Sequence, residues 1–371
     1  MTEDKIFTAI GLMSGTSLDG VDIALVTSDG FSIISTGPFV SVPYQAQFKK
    51  RLFNQLGKTS VPKALEEELT VIHANVIFNF LKANNISKSD IDVIGFHGQT
   101  IYHNPKEKLT FQIGDGYMLA KLLDRIVVNN FRVADVENGG QGAPLVPVFH
   151  QTMAKNIKKP VAIINIGGVS NVTYIDDQEL IAFDTGPGNA PLDDIVFQRL
   201  GLSFDNNGKI AQSGVINRSI LEQFLAHSFF ESPPPKTLDR NNFDYGDLVE
   251  CKVEDALATV VEFIAKSISK SREYFPQSVD KWYVTGGGSH NTVLIRAISE
   301  ALNCDVLPVN RLGWNADALE AQAFAFLAVR SILDLPISFP NTTGVSEAMT
   351  GGVDPASAGA GCVLFKKDQN R

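Results

Sequence analysis

Apolar positions fall into two regimes along this chain. Ile6 to Met13, Gly20 to Thr27 and Phe31 to Val40 are short runs rich in β-branched and aromatic residues, divided by Ser14-Gly15-Thr16-Ser17 and by Asp29-Gly30. Runs of that length with tight polar turns predict a three-strand meander. The period then changes: Leu65, Leu69, Ile72, Val76, Phe80 and Leu81 recur at helical spacing, which predicts an amphipathic helix. Asp92 to Phe96 reads as a short buried strand running into His97-Gly98-Gln99-Thr100, Gly116 to Leu123 as a helix, and Arg125 to Asn129 as a strand.

The opening pattern recurs further on. Val161 to Ile166, a Gly167-Gly168 turn, Val169 to Ile175, an Asp176-Asp177 turn and Leu180 to Phe183 repeat the order of strand, glycine turn, strand, acidic turn and strand. Meanders are common, so recurrence alone is compatible with two unrelated ones; the chemistry at the turns favours an internal repeat. Gly139-Gly140-Gln141-Gly142-Ala143-Pro144 is too rich in Gly and Pro for an element interior and predicts a crossover or hinge loop, with Ser232-Pro233-Pro234-Pro235 a second break. A helix from about Leu248 to Arg272, a strand Trp282 to Val284 and a helix Ala316 to Leu333 follow, and the tail from Pro336 is Gly-rich and weakly patterned.

Composition narrows the function. The 371 residues are 44% hydrophobic and 20% charged, enough apolar material for two domains. A formal net charge of −9 argues against a nucleic-acid groove, which depends on clustered Lys and Arg. Cys251, Cys304 and Cys362 are odd in number and far apart, so neither a disulfide framework nor a zinc site is expected, and a cytoplasmic, reducing compartment fits. Glu3 and Asp4 precede the apolar run Ile6 to Met13, which therefore reads as a strand rather than a signal segment. No uncharged apolar stretch reaches the ~20 residues that span a bilayer, so no membrane partner is expected.

Three glycine-bearing segments follow apolar strands: Gly15-Thr16-Ser17-Leu18-Asp19-Gly20, Asp184-Thr185-Gly186-Pro187-Gly188-Asn189 and Thr285-Gly286-Gly287-Gly288. Glycine lets backbone N–H groups come close to a phosphate where a side chain would intervene. The common nucleotide motifs are missing: Gly57-Lys58-Thr59 has Leu52 where a P-loop needs its first glycine, and no GxGxxG opens a helix. A bound nucleotide is therefore expected between hairpin loops of two domains.

Paired phosphate hairpins, a second set after a repeat and a late Thr-Gly-Gly-Gly loop resemble the superfamily of sugar kinases, heat-shock ATPases and actin. Within it, the runs Gly11 to Asp22 (GLMSGTSLDGVD), Gly95 to Thr100 (GFHGQT), Asn165 to Asn171 (NIGGVSN) and Phe183 to Asn189 (FDTGPGN) are similar to the anhydro-N-acetylmuramic acid kinase family, over roughly residues 6 to 335. The resemblance implies an α/β, two-domain actin-like (ribonuclease H-like) fold: duplicated mixed sheets flanked by helices, with an inter-domain active-site cleft. The domains are expected at 1–134 and 135–339, with the tail 340–371 packing back on the first. It implies ATP and Mg²⁺ as cofactors, closure over the substrates, homodimerisation, and a role in recycling peptidoglycan fragments.

It also implies roles for residues. Asp184, at a strand end beside glycines, is expected as the general base that activates water at the anomeric carbon while O6 takes the γ-phosphoryl group; an Asx-turn residue is the plainer alternative. Gly15, Thr16, Ser17, Gly167, Gly168, Gly186 and Gly188 are expected on the phosphates, Gly286, Gly287 and Gly288 on the adenosine, and Leu18, Asp19, Gly20, Val21, Asp22, Asn189 and Asn291 as further contacts to the bound nucleotide and its metal. Asp19 and Asp22 are candidate Mg²⁺ carboxylates, although Asp19-Gly20 is also a good turn. His97, Gln99, Thr100, Gln112 and Asp135 are expected on the sugar. Glu320 either faces solvent on its helix or, as the resemblance suggests, reaches the sugar. Departures from the family pattern are Ala190-Pro191-Leu192-Asp193-Asp194, where Pro191 suits a first helical turn, and an irregular stretch from Thr343 to Gly361. Two alternatives share the ATP loops: a kinase of the same superfamily for another sugar or a carboxylate, and a heat-shock or actin-like ATPase. The latter carries a peptide-binding domain or filament insertions, for which this chain has no evident segment.

Overall fold

The computed structural model describes residues 5–15, 17–240 and 242–356. Through Met153 the elements are β1 (Phe7–Ser14), β2 (Gly20–Ser28), β3 (Ile33–Pro43), α1 (Ala46–Phe53), α2 (Lys63–Ala83), β4 (Val93–Asn104), β5 (Leu109–Ile113), α3 (Gly116–Leu123), β6 (Ile126–Val128), α4 (Val133–Glu137) and α5 (Pro147–Met153). The sheet order is β3-β2-β1-β4-β5, with β6 also on β4. β1, β2 and β3 pair antiparallel, and β4 runs parallel to β1 and β6. Helix α2 presents Leu65, Leu69, Val76, Phe80 and Leu81 to a core that includes Ile10, Leu12, Ile23, Ile94 and Phe96.

Next come β7 (Val161–Ile166), β8 (Val169–Ile175), β9 (Leu180–Pro187), α6 (Ala190–Leu200), α7 (Arg218–Leu225), α8 (Val253–Lys270), β10 (Lys281–Thr285), α9 (Thr292–Leu302) and β11 (Val306–Pro308). Their sheet order is β11-β10-β7-β8-β9, with β7, β8 and β9 antiparallel in sequence and β10 parallel to both β7 and β11. Element for element this matches β3-β2-β1-β4-β6, so the repeat in the sequence is a duplicated ribonuclease H-like sheet, the actin-like architecture.

The chain divides into two compact units. The first comprises the described residues of Met1–Met153, Ala318–Pro340 and Val345–Arg371; the second comprises Ala154–Asp317 and Asn341–Gly344. This differs from the expected boundary after residue 134. The Gly139–Pro144 loop stays in the first unit because Arg132 Nη1 donates to the Gly142 carbonyl at 2.7 Å and Asp135 Oδ1 accepts the Gly142 N–H at 2.5 Å. Helix α10 (Leu319–Ile332) returns to the same unit and packs on β1, β2 and β4. Two strand glycines admit it. A Cβ on Gly11 would lie 1.8 Å from the Ala321 carbonyl oxygen, and one on Gly95 would lie 2.1 Å from that of Phe324. A bridge between Asn129 and Val353 also ties the later described residues of the tail to this unit.

Two β-bulges interrupt the sheets at the motifs. In β4, Phe96 pairs with Leu12 but Gln99 pairs with Ser14, so His97 and Gly98 together face the single residue Met13. In β9, Asp184 pairs with Asn171 and Gly186 with Ser170, which leaves Thr185 extra. Both strands thus continue past the expected ends, Phe96 and Phe183, and Asp184 lies inside β9 rather than at its end.

Candidate active site

In the second unit three loops meet. The Gly167 carbonyl accepts the Asn189 N–H at 2.7 Å and the Gly168 carbonyl accepts the Gly188 N–H at 3.0 Å, so the β7–β8 turn and the β9–α6 turn form one structure. The third loop closes on it: a Cβ on Gly288 would come within 2.4 Å of Ile166 and 3.2 Å of Asn189 Oδ1. The glycines here fall into two kinds. Gly188 and Gly286 are needed by the chain itself, since a Cβ would meet the Gly167 carbonyl at 2.2 Å and Asn165 Oδ1 at 2.4 Å respectively, while one on Gly186 would meet the Ser267 Cβ at 2.7 Å. Gly167 and Gly168 have no neighbour closer than 3.6 Å, and Gly287 none closer than 3.4 Å; the open space before them is what a closely approaching ligand requires. Asn291 Oδ1 accepts the Leu294 N–H at 3.1 Å and caps α9.

Asp184 sits beside this group. Its own N–H donates to the Lys236 carbonyl at 3.0 Å, and its Oδ2 accepts the Leu238 N–H at 2.8 Å; Oδ1 has no donor among the described residues. Burial pushes the carboxyl up from its ordinary range to about 7, against the lowering effect of the Leu238 N–H. Lys236 is itself buried, donating from Nζ to the Phe229 carbonyl at 3.1 Å with the Phe229 ring 4.6 Å away, and burial lowers its ammonium to about 8.

In the first unit the polar residues gather at the bulge of β4. Arg132 Nε donates to His97 Nε2 at 3.0 Å, so His97 must carry its proton on Nδ1, which donates to the Gly98 carbonyl at 2.8 Å. Burial, reinforced by the neighbouring guanidinium, holds His97 well below the usual histidine range; it is a neutral, oriented ring. Burial disfavours the Arg132 charge, while Glu320 and then Asp135 favour it. Asp135 is 1% exposed and its Oδ2 is buried without a partner among the described residues. Gln112 donates to Thr110 and Thr100 at 2.7 and 3.3 Å, and its Oε1 also lacks a donor. His97, Arg132, Asp135 and Glu320 thus form one group and Thr100 and Gln112 another, whereas the Gln99 amide turns to the β1–β2 turn.

In that turn Leu18 has φ 57° and is 2% exposed. A Cβ on Gly15 would have only Ser17 Oγ within 4 Å, at 3.7 Å, and a Cβ on Gly20 would strike the Val42 carbonyl at 2.2 Å. Ser17 is exposed, Val21 is buried in β2 and Asp22 is half-buried. Asp19 is exposed and pairs with Lys49 at 2.6 Å. Thr16 lies outside the described residues.

A sequence profile described as "Anhydro-N-acetylmuramic acid kinase" matches residues 7–355. The chain belongs to the anhydro-N-acetylmuramic acid kinase family. A member from Paramagnetospirillum magneticum is 47% identical over 348 residues, covering 93% of this chain and 98% of that one. A member from Rhodopseudomonas palustris is 47% identical over 362 residues, covering 94% and 99%. A solved ROK hexokinase from Thermus thermophilus shares 13% identity and a TM-score of 0.40 over 87% of this chain and all of that one, too distant a likeness to carry any residue's role. Against the family motifs, the residue that sequence reasoning passed over is Arg132, which lies outside every quoted run; only its place two residues after Asn130, between a strand and the Asp135 helix, marks it. The Leu238 N–H that holds Asp184 was equally invisible, because any residue type supplies a backbone donor. Among the described residues no helix is long and apolar enough to cross a membrane.

Proposed function

We propose that the chain uses ATP to phosphorylate O6 of 1,6-anhydro-N-acetylmuramic acid while water opens the anhydro bridge, releasing N-acetylmuramic acid 6-phosphate and ADP in peptidoglycan recycling. Family membership supplies the substrate class; the observation that carries the mechanism is Asp184. An enclosed carboxyl raised to about 7 is matched to taking a proton from water near neutral pH. In this reading water adds to C1, its proton passes to Asp184, and the C1–O6 bond breaks. The electron pair left on O6 forms the bond to the γ-phosphorus, and ADP departs as that phosphorus loses its bond to the bridging oxygen.

The remaining roles follow from donor and acceptor chemistry. The N–H groups exposed by Gly15, Gly167 and Gly168 suit phosphate oxygens, and Gly287 leaves room for the adenosine. Asp135 Oδ2 and Gln112 Oε1 suit sugar hydroxyl or acetamido protons, with Arg132 as the oriented cation. Mg²⁺ bound here would neutralise charge on the β- and γ-phosphate oxygens. That ion keeps most of its water and takes one or two carboxylates, which fits the hairpin pair of Asp19, exposed beside Lys49, and half-buried Asp22. A cytoplasmic homodimer is the assembly that goes with this reading, and light scattering at a mass other than twice 40.3 kDa would remove it.

The reaction is tested in ¹⁸O-labelled water with Mg·ATP and the anhydro sugar, reducing the product at once with borohydride so that the label cannot exchange. The expected product carries ¹⁸O at C1 and none in the phosphate; label in the phosphate alone would mean ATP hydrolysis without ring opening. Arg132→Met is expected to raise the sugar KM roughly 10- to 100-fold, the loss of a charged hydrogen bond, with the ATP KM changed less than twofold. Steady-state kinetics with each substrate varied decides it, and an equal rise in both would withdraw Arg132 from the sugar site.

A further inference from the structure

The motif Gly95 to Thr100 contains one polar side chain that the sugar chemistry does not use. Gln99 is fully buried, as is Ser14, and Tyr44 is 8% exposed. The Gln99 Nε2 donates to two carbonyls, Gly15 at 3.1 Å and Thr100 at 3.3 Å, which fixes the amide orientation. Its Oε1 then faces Ser14 Oγ at 2.8 Å. Ser14 has a single hydroxyl proton, shared between Gln99 Oε1 and the Gly20 carbonyl at 2.9 Å, so the Tyr44 hydroxyl at 2.7 Å is the donor to Ser14. Tyr44 closes the circuit through its own N–H, which donates to the Asp19 carbonyl at 3.0 Å. Every member therefore ends on a backbone carbonyl of the β1–β2 turn: Gly15, Asp19 or Gly20.

That turn needs such restraint. Leu18 is a non-glycine residue in the left-handed region, φ 57°, a conformation that persists only where the surroundings over-determine it. The Gly15 carbonyl is doubly engaged, by the Leu18 N–H at 3.1 Å and by Gln99. The bulge explains how one motif reaches two places. With Gly98 at φ 69° and His97 and Gly98 set against a single residue of β1, His97 meets Arg132 while Gln99 meets the turn.

We propose that Gln99, with Ser14 and Tyr44, is a positioning device for the nucleotide hairpin: it holds the β1–β2 turn in its phosphate-ready form and does not touch the sugar. This rests on the reading of that turn as a phosphate site. It makes the His97-Gly98-Gln99 bulge a joint between the sugar residues and the phosphate hairpin, so that ATP affinity depends on a residue expected from its motif to serve the sugar.

The test measures equilibrium binding of Mg·AMPPNP and, separately, of 1,6-anhydro-N-acetylmuramic acid to the full chain by calorimetry. Gln99→Leu and Gln99→Met, neither able to donate to the Gly15 carbonyl, are expected to weaken the nucleotide at least tenfold and change the sugar Kd less than twofold. Tyr44→Phe, which removes one hydroxyl and little packing, covers the case in which the Gln99 variants do not fold, with an expected three- to tenfold loss for the nucleotide alone. A merely structural role would move both ligands together or neither. Sugar affinity falling with nucleotide affinity intact overturns the proposal. Gly15→Val separates it from the reading beneath it, since its side chain enters open space. If that variant binds nucleotide normally, the hairpin is not the phosphate site and both fall; if it loses binding while Gln99→Leu and Tyr44→Phe keep it, only the positioning role fails.

Discussion

Asp184→Asn is expected to lose about three orders of magnitude in kcat, the scale of a removed general base, and at pH 8 to melt at a higher temperature than the native chain. The sign follows from linkage. In the unfolded chain the carboxyl titrates near 3.8, and in the fold burial raises it to about 7. Below the lower value both states are protonated and the residue contributes nothing. Between the two, the folded state holds a proton that the unfolded state has released, so stability falls as pH rises, and above about 7 the full penalty of a buried charge is present. That penalty is on the order of 4 kcal/mol at most. Asparagine carries no charge and keeps an acceptor for the Leu238 N–H. The gap in melting temperature should therefore be near zero at pH 4 and reach roughly 5–10 °C at pH 8, while kcat/KM of the native chain declines as pH drops below 7. Melting curves across that range decide it: a gap that does not change with pH would mean that Asp184 is already ionised at low pH and is not a raised base.

A site that destabilises its own fold when ionised is a common mark of function, and it also explains which features the sequence carried. Alternation and turn chemistry foretold β1, β2, β7 and β8 within a residue or so, because one face of each is buried and the Gly and Asp turns are local. The duplicated order was legible for the same reason. Strand ends were not. β4 and β9 run on past Phe96 and Phe183 through bulges, and a bulge places polar residues and glycine where a reader of local pattern sees a loop. Nor was the division into units legible: Gly139–Pro144 looks like a hinge, but Arg132, Asp135 and a His103 contact to the Gln141 carbonyl at 2.9 Å hold it, and only tertiary contacts send α10 back to the first sheet. Short elements such as α1 and β5 depend on their partners rather than on their own pattern.

The second large effect is expected at the contact between α10 and its sheet. Gly95→Ala and Gly11→Ala each add one methyl group, yet its nearest neighbours are backbone atoms of α10: the Phe324 carbonyl at 2.1 Å, and the Ala321 carbonyl and Ala325 nitrogen at 1.8 and 2.4 Å. Rotamer changes cannot relieve such contacts, so the whole helix must shift. Overpacking a core ordinarily costs about 1–3 kcal/mol, and a displaced helix buried along most of its length belongs at or beyond the upper end. Because Glu320 stands on the first turn of α10 and Phe324 lies 4.7 Å from His97, the same shift should disturb the Arg132 group, lowering activity in any fraction that still folds. Gly15→Ala, on the same segment as Gly11, meets nothing closer than 3.7 Å and should melt like the native chain. The cause can be told from side-chain crowding by adding Ala328→Gly to Gly95→Ala, because the Ala328 methyl is the nearest side-chain atom, at 3.2 Å. If the obstruction is the helix backbone, the double variant stays as unstable as the single one; recovery of its denaturation midpoint would place the conflict at Ala328 and leave the approach of α10 to the sheet unexplained by these glycines.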